Sequence, residues 1–286
     1  MDTFIYTSII GIYYGMNIWL VASGLTLIFG MLGVLNFAHG SLYMMGAFLG
    51  YTFAALSGQQ FWIGLLLGPI VVGVAGMIIE FMFLRRVYDQ DITYQLLMTY
   101  AFVLILDNLF KIIYGSLYVS VSVPIQGVIP IMNRFVPKYY FFIIAVGVFA
   151  AVFLYILLKK TTLGRRVRAA AYNREMSNAV GINVPRLFTV IFGVGSFMAA
   201  LGGAMTAPIQ TISSGMGTAI IINSFIVAVI GGLGSLLGAF VGAIILGLVN
   251  SFGILWLGEM APALPYMAMI VILLAKPAGL FGTVEE

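Results

Sequence analysis

Apolar residues run along this chain in unbroken blocks. Phe141 to Leu158 carries no charged side chain, and its only polar group is the Tyr155 hydroxyl. A soluble amphipathic helix would show polar residues every third or fourth position, and a membrane barrel strand would alternate at every second. Neither pattern is present, so the blocks predict helices that are apolar all round. Residues 4–31, 36–56, 61–84, 94–114, 139–158 and 187–207 are the mainly apolar spans, with Glu80 in the third and Asp107 and Lys111 in the fourth. A glycine-broken stretch at 219–252 and a last span at 263–275 follow. Between them lie a turn at Gln59 and Gln60, a polar loop at 85–93 and a segment at 115–138 punctuated by Pro124, Pro130 and Pro137. The most charged stretch is 159–186, and a Ser/Gly turn covers 213–217. Each crossing needs about 20 mainly apolar residues. The expected fold is an all-α polytopic membrane protein, one transmembrane domain over 1–286 with about 8–9 transmembrane helices. The higher count applies if 219–252 crosses twice, broken at Gly231–Ser235; partial re-entry would change it.

Composition agrees. Hydrophobic residues make up 62% of the chain and charged residues 8%, against about 45–50% and about 25% in soluble domains. The net charge of +4 is informative through its placement rather than its size. Of 13 basic residues, ten (Arg85, Arg86, Lys159, Lys160, Arg165, Arg166, Arg168, Arg174, Arg186 and Lys276) fall on one side of this span pattern. Lys111, Arg134 and Lys138 fall at or beyond the other. Basic loops stay cytoplasmic, which places the N-terminus outside and the C-terminus inside. Trp62, Tyr139, Tyr140 and Trp256 are then expected at the outer interface, where aromatic belts form. No Lys or Arg precedes Arg85, so the first block lacks a signal peptide's basic start and is expected to remain as a helix.

Little of the chain could do chemistry. There is one histidine, His39, and no cysteine. No Walker phosphate loop and no serine-nucleophile motif occurs, so energy from ATP would have to come from another subunit. Asn36, His39, Ser41, Asp107, Asn223 and Ser235 are the candidates for lining a translocation path, since polar groups inside a membrane are expensive. Each has a plainer reading. Asn36 could cap the second helix, and His39 could bond a neighbouring backbone. Asp107 and Lys111, four apart, have ion-pair spacing. Asn223 and Asn250 could join helices by hydrogen bonds, and Glu80 could partner the basic loop at Arg85. A weak internal repeat relates Gly40-Ser41-Leu42 with Gly46-Ala47-Phe48 to Gly234-Ser235-Leu236 with Gly238-Ala239-Phe240.

The basic stretch 159–186 predicts a short helix outside the membrane. Asn173 is placed to cap it, Glu175 lies in its first turn, and Gly181 and then Pro185 end it. Met176, Ala179 and Val180 form an apolar stripe, with Arg174 and Glu175 expected at its rim. A helix of about two turns needs packing to persist, which a cytoplasmic partner would supply.

Several motifs carry a family resemblance. Gly24-Leu25-Thr26-Leu27-Ile28-Phe29-Gly30 and Leu35-Asn36-Phe37-Ala38-His39-Gly40-Ser41-Leu42-Tyr43-Met44 resemble the N-terminal signature of branched-chain amino acid ABC importer permeases of the LivH type. Gly164-Arg165-Arg166-Val167-Arg168-Ala169, Ala179-Val180-Gly181-Ile182 and Ala228-Val229-Ile230-Gly231-Gly232-Leu233-Gly234-Ser235 resemble later parts in order and spacing. The resemblance implies a type II-like importer fold with broken helices in a bacterial inner membrane. It implies a second homologous permease subunit, two cytoplasmic ATPases and a periplasmic substrate-binding protein. ATP and magnesium would then sit on the ATPases, with no cofactor and no catalysis in this chain, and no nucleic-acid partner. Residues Asn173, Arg174, Glu175, Met176, Ala179, Val180 and Gly181 would form the coupling helix, within a cytoplasmic loop at about 159–186. The implied substrate is a branched-chain amino acid or a related small polar solute (an amide, urea or an aromatic acid). Two departures stand out: Asn173-Arg174-Glu175 replaces the Asp-Pro-Glu of many relatives, and Asp107 replaces a neutral polar residue. The alternatives are a stand-alone secondary transporter, for which buried ionisable groups are few, and a passive channel, which has no use for a structured basic helix.

Overall fold

The computed structural model describes residues 2–88, 90–115 and 118–282. Eleven α-helices follow one another in it. The membrane blocks become α1 (Asp2–Leu32), α2 (His39–Leu56), α3 (Phe61–Met82), α4 (Ile92–Tyr114) and α5 (Lys138–Lys160). Outside the apolar blocks come α6 (Thr162–Tyr172) and α7 (Arg174–Ala179), followed by α8 (Val184–Thr206), α9 (Met216–Gly231), α10 (Leu236–Leu257) and α11 (Leu264–Ala275). Among the described residues six helical stretches are long and apolar enough to cross a membrane, and α9 is a shorter apolar helix. The stretch expected to break at Gly231–Ser235 does so: α9 ends at Gly231, Gly232 and Gly234 take positive φ angles of 97° and 87°, and Ser235 caps α10 by accepting from the Gly238 amide.

Side-chain size decides which helices lie inside. α1 and α8 form the centre, and they are rich in glycine, alanine and serine where they meet. Without a hydrophobic force between helices in lipid, close backbone approach and dispersion hold such bundles together. Gly46 of α2 lies so near α8 that an added Cβ would stand 2.2 Å from the Ala200 carbonyl oxygen. α3, α4 and α5 turn large side chains outward, among them Leu66, Leu104 and Phe149, which a lipid-facing surface accepts at no cost. Pro69 lies inside α3, a placement membrane helices tolerate when neighbours satisfy the freed carbonyl.

Three local expectations change. The 115–138 segment is not merely an irregular loop: it holds an antiparallel hairpin of β1 (Val128–Ile131) and β2 (Arg134–Pro137). Pro137 ends β2, Pro130 lies inside β1 opposite Phe135, and Pro124 precedes the hairpin; a two-stranded ribbon has only edge strands, which is where sheets accept proline. Further back, Val119 exchanges backbone bonds of 3.2 and 2.8 Å with Ile212, tying this segment to the Ser/Gly turn before α9. Tyr139 does not face outward: it is fully buried and donates to the Met205 carbonyl at 2.9 Å, whereas Trp62 and Trp256 are exposed. Finally, the basic stretch before Asn173 is itself helical, forming α6, started by the Thr161 hydroxyl accepting from the Gly164 amide.

Candidate functional site

The second apolar block begins later than its composition suggested, and the difference creates the site. α1 ends at Leu32, Gly33 turns the chain at φ +69°, and residues 33–38 stay non-helical until α2 starts at His39. These residues do not leave the protein. His39 is fully buried and its Nε2 donates to the Val21 carbonyl at 3.0 Å. Val21 lies eleven residues before the α1 terminus, about 16 Å along the axis at the helical rise. α2 therefore begins inside the bundle.

α9 begins at the same place. Gly40 in the first turn of α2 and Gly217 in the first turn of α9 touch backbone to backbone: a Cβ on Gly40 would lie 2.3 Å from the Gly217 oxygen, and one on Gly217 would lie 2.4 Å from the Gly40 oxygen. Phe37 and Phe225 pack beside this contact, ring centroids 5.2 Å apart. The first amides of a helix lack internal partners and the terminus carries partial positive charge. Two such termini face each other here, inside an apolar bundle, with no room between them for even a methyl group.

The polar candidates divide around this junction. Asn36 is fully buried, and neither its amide nitrogen nor its oxygen has a partner among the described residues. It does not cap α2, whose cap position is Ala38 with no side-chain bond. The Nδ1 of His39 is likewise unpartnered. The Ser41 hydroxyl donates to Asp107 Oδ1 at 2.9 Å, so serine rather than Lys111 holds that carboxylate, and the expected Asp107–Lys111 pair is replaced by a bond between α2 and α4. The other two candidates lie elsewhere. Asn223 donates to the Tyr14 hydroxyl at 3.4 Å, joining α9 to α1. Ser235 caps α10 beyond the far end of α9.

A second cluster lies where α1, α3 and α8 meet the basic loop. α7 is one and a half turns long; the Asn173 side chain accepts from the Met176 amide at 2.9 Å, and Gly181 follows at φ +85°. Its outer face leaves Met176 and Val180 exposed, beside Tyr172 at 94% exposure. Arg174 does not lie at the rim of that face. Its guanidinium donates to the Leu32 carbonyl at 2.6 Å and lies 5.1 Å over the Phe188 ring. Phe188 packs edge-on against Tyr88. Tyr88 and Thr189 donate to the two oxygens of the fully buried Glu80, at 2.8 and 2.5 Å. Burial and the adjacent Glu80 carboxylate push the Tyr88 phenol above its ordinary value. Glu80 is thus held by hydroxyls, not by Arg85, which lies over the Phe81 ring instead.

Set beside known proteins, this architecture has close counterparts in sequence. The family model described as the branched-chain amino acid transport system permease component matches residues 8–275. The chain belongs to that permease family. It is 29% identical over 290 residues to the high-affinity branched-chain amino acid transport system permease protein BraD of Pseudomonas aeruginosa, covering 96% of this chain and 94% of that one. The same figures hold for LivH of Escherichia coli strain K12. A probable branched-chain amino acid transport permease of Methanocaldococcus jannaschii is 28% identical over 295 residues, covering 95% and 90%. Among solved structures, PsaBC from Streptococcus pneumoniae in complex with Fab resembles the chain with a TM-score of 0.47 and 13% identity over 93% and 89% of the two chains.

The permease's two clusters were not equally visible beforehand. Asn36, His39 and Ser41 stand out as polar residues at a helix entrance. The Glu80, Tyr88 and Thr189 group leaves no local signal, because its third member is 109 positions from its first. Nor does any spacing rule point from Arg174 to a carbonyl 142 positions earlier.

Proposed function

We propose that this permease is the pore subunit of an ATP-driven importer that carries branched-chain amino acids, or a closely related small polar solute, across a bacterial inner membrane. The observation that carries this reading is the family match over 8–275, supported by relatives named as branched-chain amino acid permeases that align along nearly the whole chain. The chain does no chemistry of its own. Hydrolysis belongs to two cytoplasmic ATPases that bind ATP and magnesium, a second homologous permease completes the pore, and a periplasmic protein delivers substrate. The type II-like arrangement and the orientation, N-terminus outside and C-terminus inside, belong to the same proposal; the ten basic residues on one side support it.

The path is assigned to the junction of α2 and α9. An amino acid crossing a bilayer needs a place for its carboxylate, and two inward-facing helix N-termini with the Asn36 amide beside them offer partial positive charge and free donors. The junction is shut here, so transport requires α2 and α9 to separate. Arg174 supplies the link: it ties the first residue of α7 to the end of α1, directly before the 33–38 segment that leads into the junction. A movement of α7 imposed by an ATPase would reach α2 through that bond. This replaces the rim role expected for Arg174.

Orientation is tested at position 172, in a chain with no native cysteine. Tyr172→Cys should stay unlabelled by a membrane-impermeant maleimide in intact cells and label fully once the membrane is opened. Equal labelling before and after would place the basic loop outside and remove the proposed ATPase contact.

A further inference from the structure

A groove of about 670 Å³ runs between α1, α5, α6 and α10, away from the α2–α9 junction. Its walls change character along its length. The deep end is apolar, built from Trp19 and Phe240, whose rings pack edge to face. The other end, beside the basic loop, carries Lys159 and Arg168. On α1 the lining extends from Trp19 to Met31, about 18 Å of helix. Between the two ends the lining includes Thr26, 1% exposed, whose hydroxyl has no partner among the described residues. A buried hydroxyl with no acceptor is costly, and in a membrane helix the usual remedy is a bond to its own backbone. Exposed Tyr155 and Leu237 flank the opening.

We infer that this groove is a binding site for one anionic phospholipid from the leaflet on the basic-loop side. Its length matches an acyl chain rather than a free amino acid, and its polarity runs in one direction only, from hydrocarbon walls to two cations. Arg168 already donates to the Leu158 carbonyl, which fixes its guanidinium at the mouth with further N–H groups free for a phosphate. Lys159, the residue after Leu158, adds a point charge at the same mouth. Basic pockets between membrane helices hold acidic headgroups by the same physics. The bound lipid fills the space between α5 and the α1–α10 pair, so it braces the helix that leads into the basic loop. This site does not depend on the identity of the transported solute.

Trp19 gives a direct readout. It is 2% exposed and its indole is bonded to the Gly147 carbonyl, so bulk lipid does not reach it. The other two tryptophans, Trp62 and Trp256, are exposed. The full-length chain carrying Trp62→Phe and Trp256→Phe is placed in phosphatidylcholine vesicles, and acyl-chain-brominated phosphatidylglycerol is titrated in. Saturable quenching of Trp19 by brominated phosphatidylglycerol is expected, with brominated phosphatidylcholine quenching several-fold less. Lys159→Ala with Arg168→Ala should weaken the anionic lipid about tenfold or more, since each basic residue near an anionic headgroup contributes roughly fivefold. High salt should weaken it in the unaltered mouth as well, which tests the idea even if the double variant fails to fold. Equal quenching by both lipids, no quenching, or loss of quenching when a second permease subunit is added would overturn the proposal. The last outcome would give the groove to a neighbouring protein instead.

Discussion

Met176→Asp should leave the permease inserted in the membrane and paired with its homologous partner, while the ATPase subunits no longer co-purify with it and substrate uptake falls at least tenfold. Met176 on α7 and Val180 directly after it are exposed, with 62% and 69% of their surface open, and the helix is too short to persist without packing. Seated in a cleft of an ATPase, the methionine side chain would gain roughly 1.5–3 kcal/mol from burial. A carboxylate in its place would forgo that gain and, being desolvated without a partner, add several kcal/mol of cost. A loss of even 1.4 kcal/mol is a factor of ten in affinity. Arg174→Ala should behave differently. Its charge faces inward, onto the Leu32 carbonyl and the Phe188 ring, so the ATPases should stay bound while uptake per ATP hydrolysed drops. ATPase retention, hydrolysis and uptake measured on the same preparations separate the two. If Met176→Asp kept both retention and uptake, α7 would not be the docking element. If Arg174→Ala kept normal coupling, the bond to α1 would have no part in transmission.

The second large effect is on folding. Gly203→Val should yield almost no correctly folded permease. A Cβ at this position would stand 1.9 Å from the Tyr43 carbonyl oxygen and 3.0 Å from the Ala47 amide nitrogen. Both are backbone atoms of α2, which cannot rotate away as a side chain can. Overpacking a core commonly costs about 1–3 kcal/mol even when flexible groups absorb it; here α2 and α8 would have to part, and the contacts that hold α2 near the junction would go with them. Leu66→Ala, on the exposed face of α3, should leave the yield unchanged. Monodisperse protein recovered by size exclusion in mild detergent gives the comparison. Wild-type recovery of Gly203→Val would mean that α2 and α8 are farther apart than described.

The legible part of this molecule was what lipid dictates. Runs such as 141–158 mark helices because nothing polar interrupts them, and Asn173 with Gly181 marks α7 because caps are local chemistry. The glycine pair at 231–232 marked the break before α10 for the same reason. What stayed hidden depends on where helices lie against each other. Asn36 reads as an ordinary cap for a helix starting beside it, and only its buried, unpartnered amide reveals that the chain re-enters the bundle there. Asp107 and Lys111 have ion-pair spacing, yet α2 brings Ser41 to the carboxylate first. Glu80 reads as a surface partner of Arg85 until Thr189 arrives from α8. Composition could not distinguish lipid-facing from interior apolar residues either: α4 and α1 look alike as sequence, but only α1 is enclosed.

The most direct test of an ATP-driven importer uses sealed vesicles containing this permease, its homologous partner and the ATPases, with ATP enclosed and the binding protein outside. Uptake of radiolabelled leucine should require hydrolysable ATP, the ATPase subunits and the binding protein together, and should continue against a concentration gradient. Uptake by the permease alone, whether driven by an ion gradient or stopping at equal concentrations on both sides, would contradict it and make the chain a secondary transporter or a channel.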